Sequence, residues 1–290
     1  MSRQPLRLAI AEAERMLADA GVSSPRFDAE TLAAHVVGVE RSRLMMHPLV
    51  DPSAVEVLRR LVVRRAAREP LQHLLGTAVL GPVEVAVGPG VFTPRPETEL
   101  LYEWGLKAIA DVPSPLVVDL CTGSAALALA VAAARPDAVV HAVEADPGAL
   151  TWAQRNISDH ASAGGTPVTL HAADVRWTDL LVELESHVDL VLCNPPYVPD
   201  HTPVPPEVEE WDPPGAVFGG PDGLEIIRAV IATSAGLLRY GGCLAIEHDD
   251  THGEAVPALL SRRRVLTDVE EHLDLNGRPR FATARRLGPS

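Results

Sequence analysis

From residue 116 to residue 247 the chain alternates short apolar runs with helical patterns, and this alternation constrains the fold more than any other feature. The runs 116–120, 138–143, 168–172, 188–193 and 243–247 read as strands. Between them, 124–134, 147–158 and 224–238 read as helices. Strand, helix, strand at this pitch means right-handed crossovers and an α/β fold, a largely parallel sheet with helices on both faces. The tail RVLTDVEEHLDLNGRPRFATARRL has two strand-like runs flanking Asn276-Gly277, a hairpin signal. An antiparallel C-terminal hairpin is therefore expected to close the sheet.

The first 75 residues follow a different rule. Leu6, Ile10, Ala13 and Leu17 recur at helical spacing, and Gly21 suits the stop. A second helix should follow Ser24-Pro25, with Phe27, Leu32, Val36 and Val37 apolar, and a third should begin at Asp51-Pro52 and bury Val55, Leu58 and Val62. Its arginines Arg59, Arg60, Arg64, Arg65 and Arg68 form either a basic stripe or an ordinary solvated face. Residues 76–91 alternate as VEVAV between Gly/Pro pairs, which suggests a strand or hairpin connecting two modules. The expected organisation is a helical domain over 1–75, a linker over 76–91 and an α/β domain over 92–290.

Charge supports that division. The first 75 residues carry 11 arginines and nine acidic residues, a net of +2, within a chain whose total is −14. The rest therefore stands at −16, which argues against affinity built on a long phosphate backbone. No apolar run reaches the roughly 20 residues that span a bilayer. The acidic, amphipathic start matches neither a signal nor a transit peptide. Cys121, Cys193 and Cys243 are far apart without a CxxC, so neither a metal site nor a disulfide framework is expected. A reduced, cytoplasmic thiol set is the simple reading.

In open α/β sheets ligands bind beyond the carboxyl ends of the strands, and four ends carry notable residues. The first strand ends in Asp119, followed by Cys121-Thr122-Gly123-Ser124-Ala125 at the entry to an Ala/Leu helix. This is the place of a Gly-rich nucleotide loop, but one glycine of three remains, so a cofactor without phosphates on the loop fits better. Glu144 ends the next strand at the spacing of a ribose-binding acid. Asp174 and Val175 follow the third strand, where a carboxylate and an apolar side chain can meet an adenine edge and ring. After the fourth comes Asn194-Pro195-Pro196-Tyr197. Two prolines stiffen the turn, so the Asn194 side chain and the Pro195 carbonyl present two acceptors in a fixed frame. Two such acceptors suit an NH2 group, and Tyr197 can pack on its planar neighbour.

With NPPY in this position the sequence resembles S-adenosylmethionine-dependent methyltransferases of planar NH2 groups. It is most similar to the release-factor glutamine N5-methyltransferases of the HemK/PrmC family. The likeness also rests on REPLQHLLGT (68–77), VFTPRPETELL (91–101), DPPGAVFGGPDGLEII (212–227) and DLNGRPRFATARR (274–286), and so covers nearly the whole chain. It implies a class I, Rossmann-like methyltransferase domain with a seven-stranded, mostly parallel sheet, after a small helical domain that recruits the substrate. It further implies that 119–125, with Thr122 and Ser124, face the methionine part of the cofactor, Glu144 its ribose, and Asp174 and Val175 its adenine. Asn194, Pro195, Pro196 and Tyr197 would hold the glutamine amide, and Asn194 would touch the cofactor as well. Phe92 and Arg95 would help shape the cofactor pocket and Glu97 the substrate pocket. The family's GxGxG is altered at Cys121 and Ala125, and the often aromatic residue after Asp174 is Val175.

The implied reaction is in-line attack of the amide nitrogen on the sulfonium methyl, with S-adenosylhomocysteine leaving, no metal, and acceleration from positioning. The implied partner is the GGQ domain of a peptide-chain release factor, met by a monomer without a membrane or direct nucleic-acid contact. A basic GGQ loop on an acidic catalytic face predicts salt-sensitive association. Three alternatives remain open: an adenine-N6 methyltransferase of nucleic acid, a glutamine methyltransferase of a ribosomal protein, and a non-catalytic binder with a degenerate fold.

Overall fold

The computed structural model describes residues 3–288, and the chain divides into two compact units. The first comprises residues up to Thr77 together with 205–211, and the second 78–204 and the chain from Asp212 onward.

In the first unit β1 (Gln4–Pro5) leads into α1 (Leu6–Asp19), followed by α2 (Pro25–Val37). A 3-10 turn (Arg41–Met46) precedes β2 (Leu49–Val50), which pairs with β1; then come α3 (Pro52–Ala66) and α4 (Leu71–Leu75). Leu6, Ile10, Ala13 and Leu17 form the buried stripe of α1, as their spacing requires, and pack with Leu32, Leu58 and Val62. Phe27 does not join this core; it is exposed, with the Arg41 guanidinium 4.7 Å from its ring centroid.

Of the five arginines, Arg59, Arg60 and Arg64 lie on a solvated face, whereas Arg65 and, just beyond α3, Arg68 do not. Arg65 is buried and bonds Asp28 (2.7 Å) and Glu207 (3.0 Å), while Arg68 bonds the other Glu207 oxygen at 2.6 Å. Arg64 makes two bonds to Glu69. Burial of the Arg65 cation is tolerable only because Asp28 and Glu207 match it in hydrogen-bonding geometry.

The second unit opens with a hairpin, β3 (Thr77–Leu80) and β4 (Val83–Ala86), turned at Gly81-Pro82. Its Leu80, Val83 and Val85 are buried in the core of this unit, so the expected connector is part of the larger body. Next come α5 (Thr98–Ala108), β5 (Leu116–Leu120), α6 (Ala126–Ala134), β6 (Val139–Glu144), α7 (Pro147–Ser162), β7 (Val168–Ala172) and β8 (Val188–Cys193). The short α8 (Pro206–Trp211) lies in the segment grouped with the first unit; α9 (Pro214–Val217), α10 (Glu225–Leu237), β9 (Leu238–Glu247), α11 (Ala255–Ser261), β10 (Leu266–Leu273) and β11 (Pro279–Arg286) follow.

The seven-stranded sheet runs β10-β11-β9-β8-β5-β6-β7. β7, β6, β5, β8 and β9 are mutually parallel, and β11 is inserted antiparallel between β9 and β10. Strand residues alternate between two cores: Val117, Val140 and Leu190 face α5, α6 and α7, while Val118, Val143 and Val191 face α10 and α11. Burial on both faces explains why the strands read as continuous apolar runs. The order reverses at β5, whose neighbours are β6 on one side and β8 on the other. A crevice beyond the carboxyl ends of β5 and β8 is the position such a reversal makes available to a ligand.

Candidate active site

Two loops meet at that crevice, because Leu120 at the end of β5 is the register partner of Cys193 at the end of β8. The first is 121–125. Cys121, Gly123 and Ala125 all have positive φ, at 59°, 58° and 64°. The backbone thus follows a glycine-loop course even where glycine is missing, at a cost of about 1–2 kcal/mol for each non-glycine residue. Side chains hold this course. Asp119 is 2% exposed, and its Oδ2 accepts from the Thr122 hydroxyl and, at 3.1 Å, from the Ala128 N–H. Burial raises its pKa to about 7 against the pull of those two bonds. Asn156 donates to the Ser124 carbonyl at 2.9 Å.

Glu144, at the end of β6, accepts from Gly123 N–H on Oε2 (2.8 Å) and from Ala145 and Asp146 N–H on Oε1 (2.9 and 2.8 Å). Its pKa is raised because burial outweighs these bonds. A carboxylate offers about four lone-pair sites, so Oε2 keeps one. Nothing lies within 4 Å of the position a Cβ on Gly123 would take, so the loop borders open space there. An adenosine-containing methyl donor fits this cradle: its ribose can meet the remaining Glu144 site, and the loop backbone can approach its methionine part.

Asp174 lies two residues beyond β7 but does not stand free. Arg176 takes both its oxygens, at 3.0 Å from Nε to Oδ1 and 2.6 Å from the terminal nitrogen to Oδ2, and this pairing lowers its pKa. Val175 is buried in the core beneath, with Leu180 and Ile231.

The second loop is 194–197. Its backbone is braced by the run that follows α9. Val198 N–H donates to Val217 O (3.0 Å) and Gly219 N–H to Val198 O (2.9 Å). A Cβ on Gly219 would lie 2.5 Å from Pro196 O, and one on Gly223, 2.3 Å from Tyr197 O, so only glycine permits this approach. The Asn194 Nδ2 donates to Thr98 Oγ1 at 3.2 Å. Thr98 Oγ1 in turn donates to Glu247 Oε2 at 2.9 Å, and the Tyr197 hydroxyl donates to Glu247 Oε1 at 3.1 Å. Among the described residues, none donates to Asn194 Oδ1 or to the Pro195 carbonyl, so both acceptors are unpaired.

Phe92 and Arg95 come together as a ring with the guanidinium 4.7 Å from its centroid. Arg95 also bonds Asp212 at 2.6 Å, and burial raises the Asp212 pKa to about 6 despite that partner. Glu97 adds negative charge beside Glu247 and Arg280. Thr98 and Glu247 are absent from the residues expected from sequence. Thr98 ends the PRPET run and Glu247 ends an expected strand, yet neither has a motif of its own. They meet because α5 packs on β8 and β9.

A Rossmann-like sheet with this strand order, a glycine-loop backbone after β5, an acid after β6 and NPPY after β8 define a class I S-adenosylmethionine-dependent methyltransferase. Solved structures agree on the fold: the hMettl16 catalytic domain in complex with a MAT2A 3'UTR hairpin has a TM-score of 0.54 at 16% identity, covering 79% of this chain and 83% of that one. The T. thermophilus 16S rRNA N2 G1207 methyltransferase with AdoMet and guanosine has a TM-score of 0.51 at 19% identity, covering 72% and 49%. The PrmC N-terminal domain model matches residues 9–76, and the methyltransferase small domain model matches 86–205. The release factor glutamine methyltransferase of Mycolicibacterium smegmatis is 51% identical over 98% of this chain and 99% of its own. That of Streptomyces coelicolor is 46% identical over 97% and 98%. The chain belongs to the release factor glutamine methyltransferase family.

Proposed function

We propose that the protein transfers a methyl group from S-adenosylmethionine to the side-chain amide nitrogen, N5, of the glutamine in the GGQ motif of peptide-chain release factors. The observation that carries this reading is the pair of unoccupied acceptors on the braced loop after β8, Asn194 Oδ1 and the Pro195 carbonyl. When bound, S-adenosylmethionine supplies a methyl group made electrophilic by its sulfonium. Glu144 Oε2 would hold its ribose, and the 121–125 backbone with Asp119, Thr122 and Ser124 would hold its methionine part. Asp174, once freed of Arg176, and Val175 would lie by its adenine.

An amide nitrogen is a poor nucleophile because its lone pair is delocalised. Asn194 and the Pro195 carbonyl accept its two hydrogens, which fixes the plane of the amide and holds its nitrogen in one place. Pro196 stiffens the turn, and Tyr197 packs on the planar group. Phe92, Arg95 and Glu97 wall the pocket. The acceleration comes from orientation and fixed dipoles rather than a strong base. The nitrogen becomes acidic only as it acquires the methyl, and its proton leaves late, to water.

The helical unit recruits the release factor, and the enzyme works as a cytoplasmic monomer. Among the described residues no helix is long and apolar enough to cross a membrane. Incubation with tritiated S-adenosylmethionine and a purified release factor tests the reading. Mass spectrometry is expected to find one added methyl on the GGQ glutamine. Label in a ribosomal protein or in nucleic acid instead would overturn it.

A further inference from the structure

The two ends of an asparagine amide are alike in shape and opposite in polarity. An Asn194 that turned Nδ2 toward the substrate would meet an NH2 group with hydrogens of its own. Something must therefore decide which end faces out. We propose that Thr98 and Glu247 form a polarity lock that keeps Asn194 Oδ1 toward the substrate amide, both acting as positioning residues through Asn194. The proposal rests on the glutamine-amide reading above.

The argument runs outward from the carboxylate. Ionised Glu247 can only accept, and it does so from Thr98 on one oxygen and Tyr197 on the other. The single hydrogen of Thr98 is thereby committed, so its hydroxyl offers Asn194 nothing but lone pairs. Asn194 must then donate with Nδ2, and Oδ1 is left facing the other way. Glu247 is 1% exposed, so water does not compete for these positions.

Protonation undoes the logic. A neutral Glu247 donates to Thr98 or Tyr197, and the freed Thr98 hydrogen can turn to Asn194 Oδ1 and admit the flipped amide. Burial raises the Glu247 pKa to about 7, although Thr98, Arg280 and Tyr197 each pull it down. The groups facing it are Thr98 and Glu97 at the start of α5, Cys193 and Tyr197 at the end of β8, and Arg280 on β11. Cys193 stays a thiol, because burial and the adjoining Cys121 thiol raise its pKa. Glu247 thus changes charge near neutrality. The lock is set above that pH and released below it.

Steady-state kinetics on full-length Thr98→Val, Thr98→Ser and Glu247→Gln, with a release factor as methyl acceptor, test the lock. Thr98→Val and Glu247→Gln are expected to lower kcat by about 10- to 100-fold, with KM and cofactor Kd within about twofold. Their combination should lose no more than the worse single variant, since both break one chain of bonds. Thr98→Ser restores the hydroxyl and should recover most of the rate. Wild-type kcat should fall with decreasing pH below about 7, and the Glu247→Gln profile should be flat there. Independently of turnover, the Asn194 side-chain amide resonances, assigned by their loss in Asn194→Asp, should shift through the same pH in wild type and stay fixed in Glu247→Gln. Thr98→Ser as poor as Thr98→Val, a loss confined to KM or Kd, or resonances indifferent to pH would overturn the lock. A wild-type enzyme that methylates no release factor overturns the proposed function instead, and the resonances still decide the lock.

Discussion

The loops after β5 and β8 stand side by side on paired strands, and they reach fixed shapes by opposite means. The 121–125 loop departs from a glycine pattern in sequence but keeps its backbone, with Cys121 and Ala125 held at positive φ. The 194–197 loop needs no such strain. Prolines set its dihedrals, glycines of another segment close against its carbonyls, and side-chain hydrogen bonds orient its asparagine. In the first loop the backbone is the binding surface, so residue identity is negotiable while conformation is not. In the second a side chain meets the substrate, so identity is fixed and its support comes from elsewhere. The division assigns cofactor affinity to one loop and rate to the other.

The largest expected effect tests the rate side. Asn194→Ala removes one of two acceptors that orient the amide, and kcat should fall about 10²- to 10³-fold, the scale of losing one preorganised polar partner. Calorimetry should find its S-adenosylmethionine Kd unchanged. A matching loss of cofactor affinity would break the division, because Asn194 would then serve both loops. Glu144→Gln probes the other side. It weakens an acceptor for three backbone N–H groups and for the ribose, so Kd should rise about tenfold or more. Turnover at saturating cofactor should be nearly kept, and a fall in kcat there would refute the assignment.

A smaller effect concerns how the first loop is anchored. The Asp119 pKa is raised to about 7 in the folded protein, from 3.8 as an unperturbed group. The folded state therefore binds its proton more tightly than the unfolded one. Its contribution is fully present below pH ~4 and is lost as pH rises through about 7. Glu247 and Glu271 are raised to about 7 as well and act in the same direction. Five histidines with lowered pKa act in the opposite direction, so the test is a difference: in urea melts between pH 5 and 8, the stability of wild type relative to Asp119→Asn should fall as pH rises. A difference that stays constant with pH would mean that Asp119 titrates alike in both states.

The contrast between the loops also explains what the sequence made legible. The strands and the NPPY loop were readable because burial on both faces leaves unbroken apolar runs, and proline leaves few conformations. The helical unit was readable through the α1 stripe, but not through α3, where Arg65 looked like a surface charge. Its partners Asp28 and Glu207 lie 37 and 142 positions away. Thr98 and Glu247 are 149 apart and join only when α5 lies across β8 and β9. Asp174 was placed correctly at a strand end, but its capture by Arg176 is a rotamer choice that spacing does not encode. What periodicity records is which face is buried; which polar groups meet across that face depends on packing.

The smallest effect bears on the altered loop itself. Cys121 at φ 59° carries left-handed strain of about 1–2 kcal/mol that glycine would not. Glycine also adds freedom to the unfolded chain, costing about 0.4–1 kcal/mol. The balance for Cys121→Gly is a gain of about 0–1.6 kcal/mol, at about 2–4 °C in Tm for each kcal/mol in a chain of this size. Ala125 has φ 64° and the same strain, but its methyl is fully buried. Removing it forfeits about 0.8 kcal/mol of apolar burial, so Ala125→Gly should come out near neutral. The sign at Cys121 is the sharper test. Its thiol adjoins Cys193 and is itself partly exposed, so little packing is lost with it. A Tm that falls in Cys121→Gly would mean that this thiol contact outweighs the strain. The Cys121 side chain would then join Asp119 and Asn156 in holding the loop, and its identity would be no more negotiable than that of Asn194.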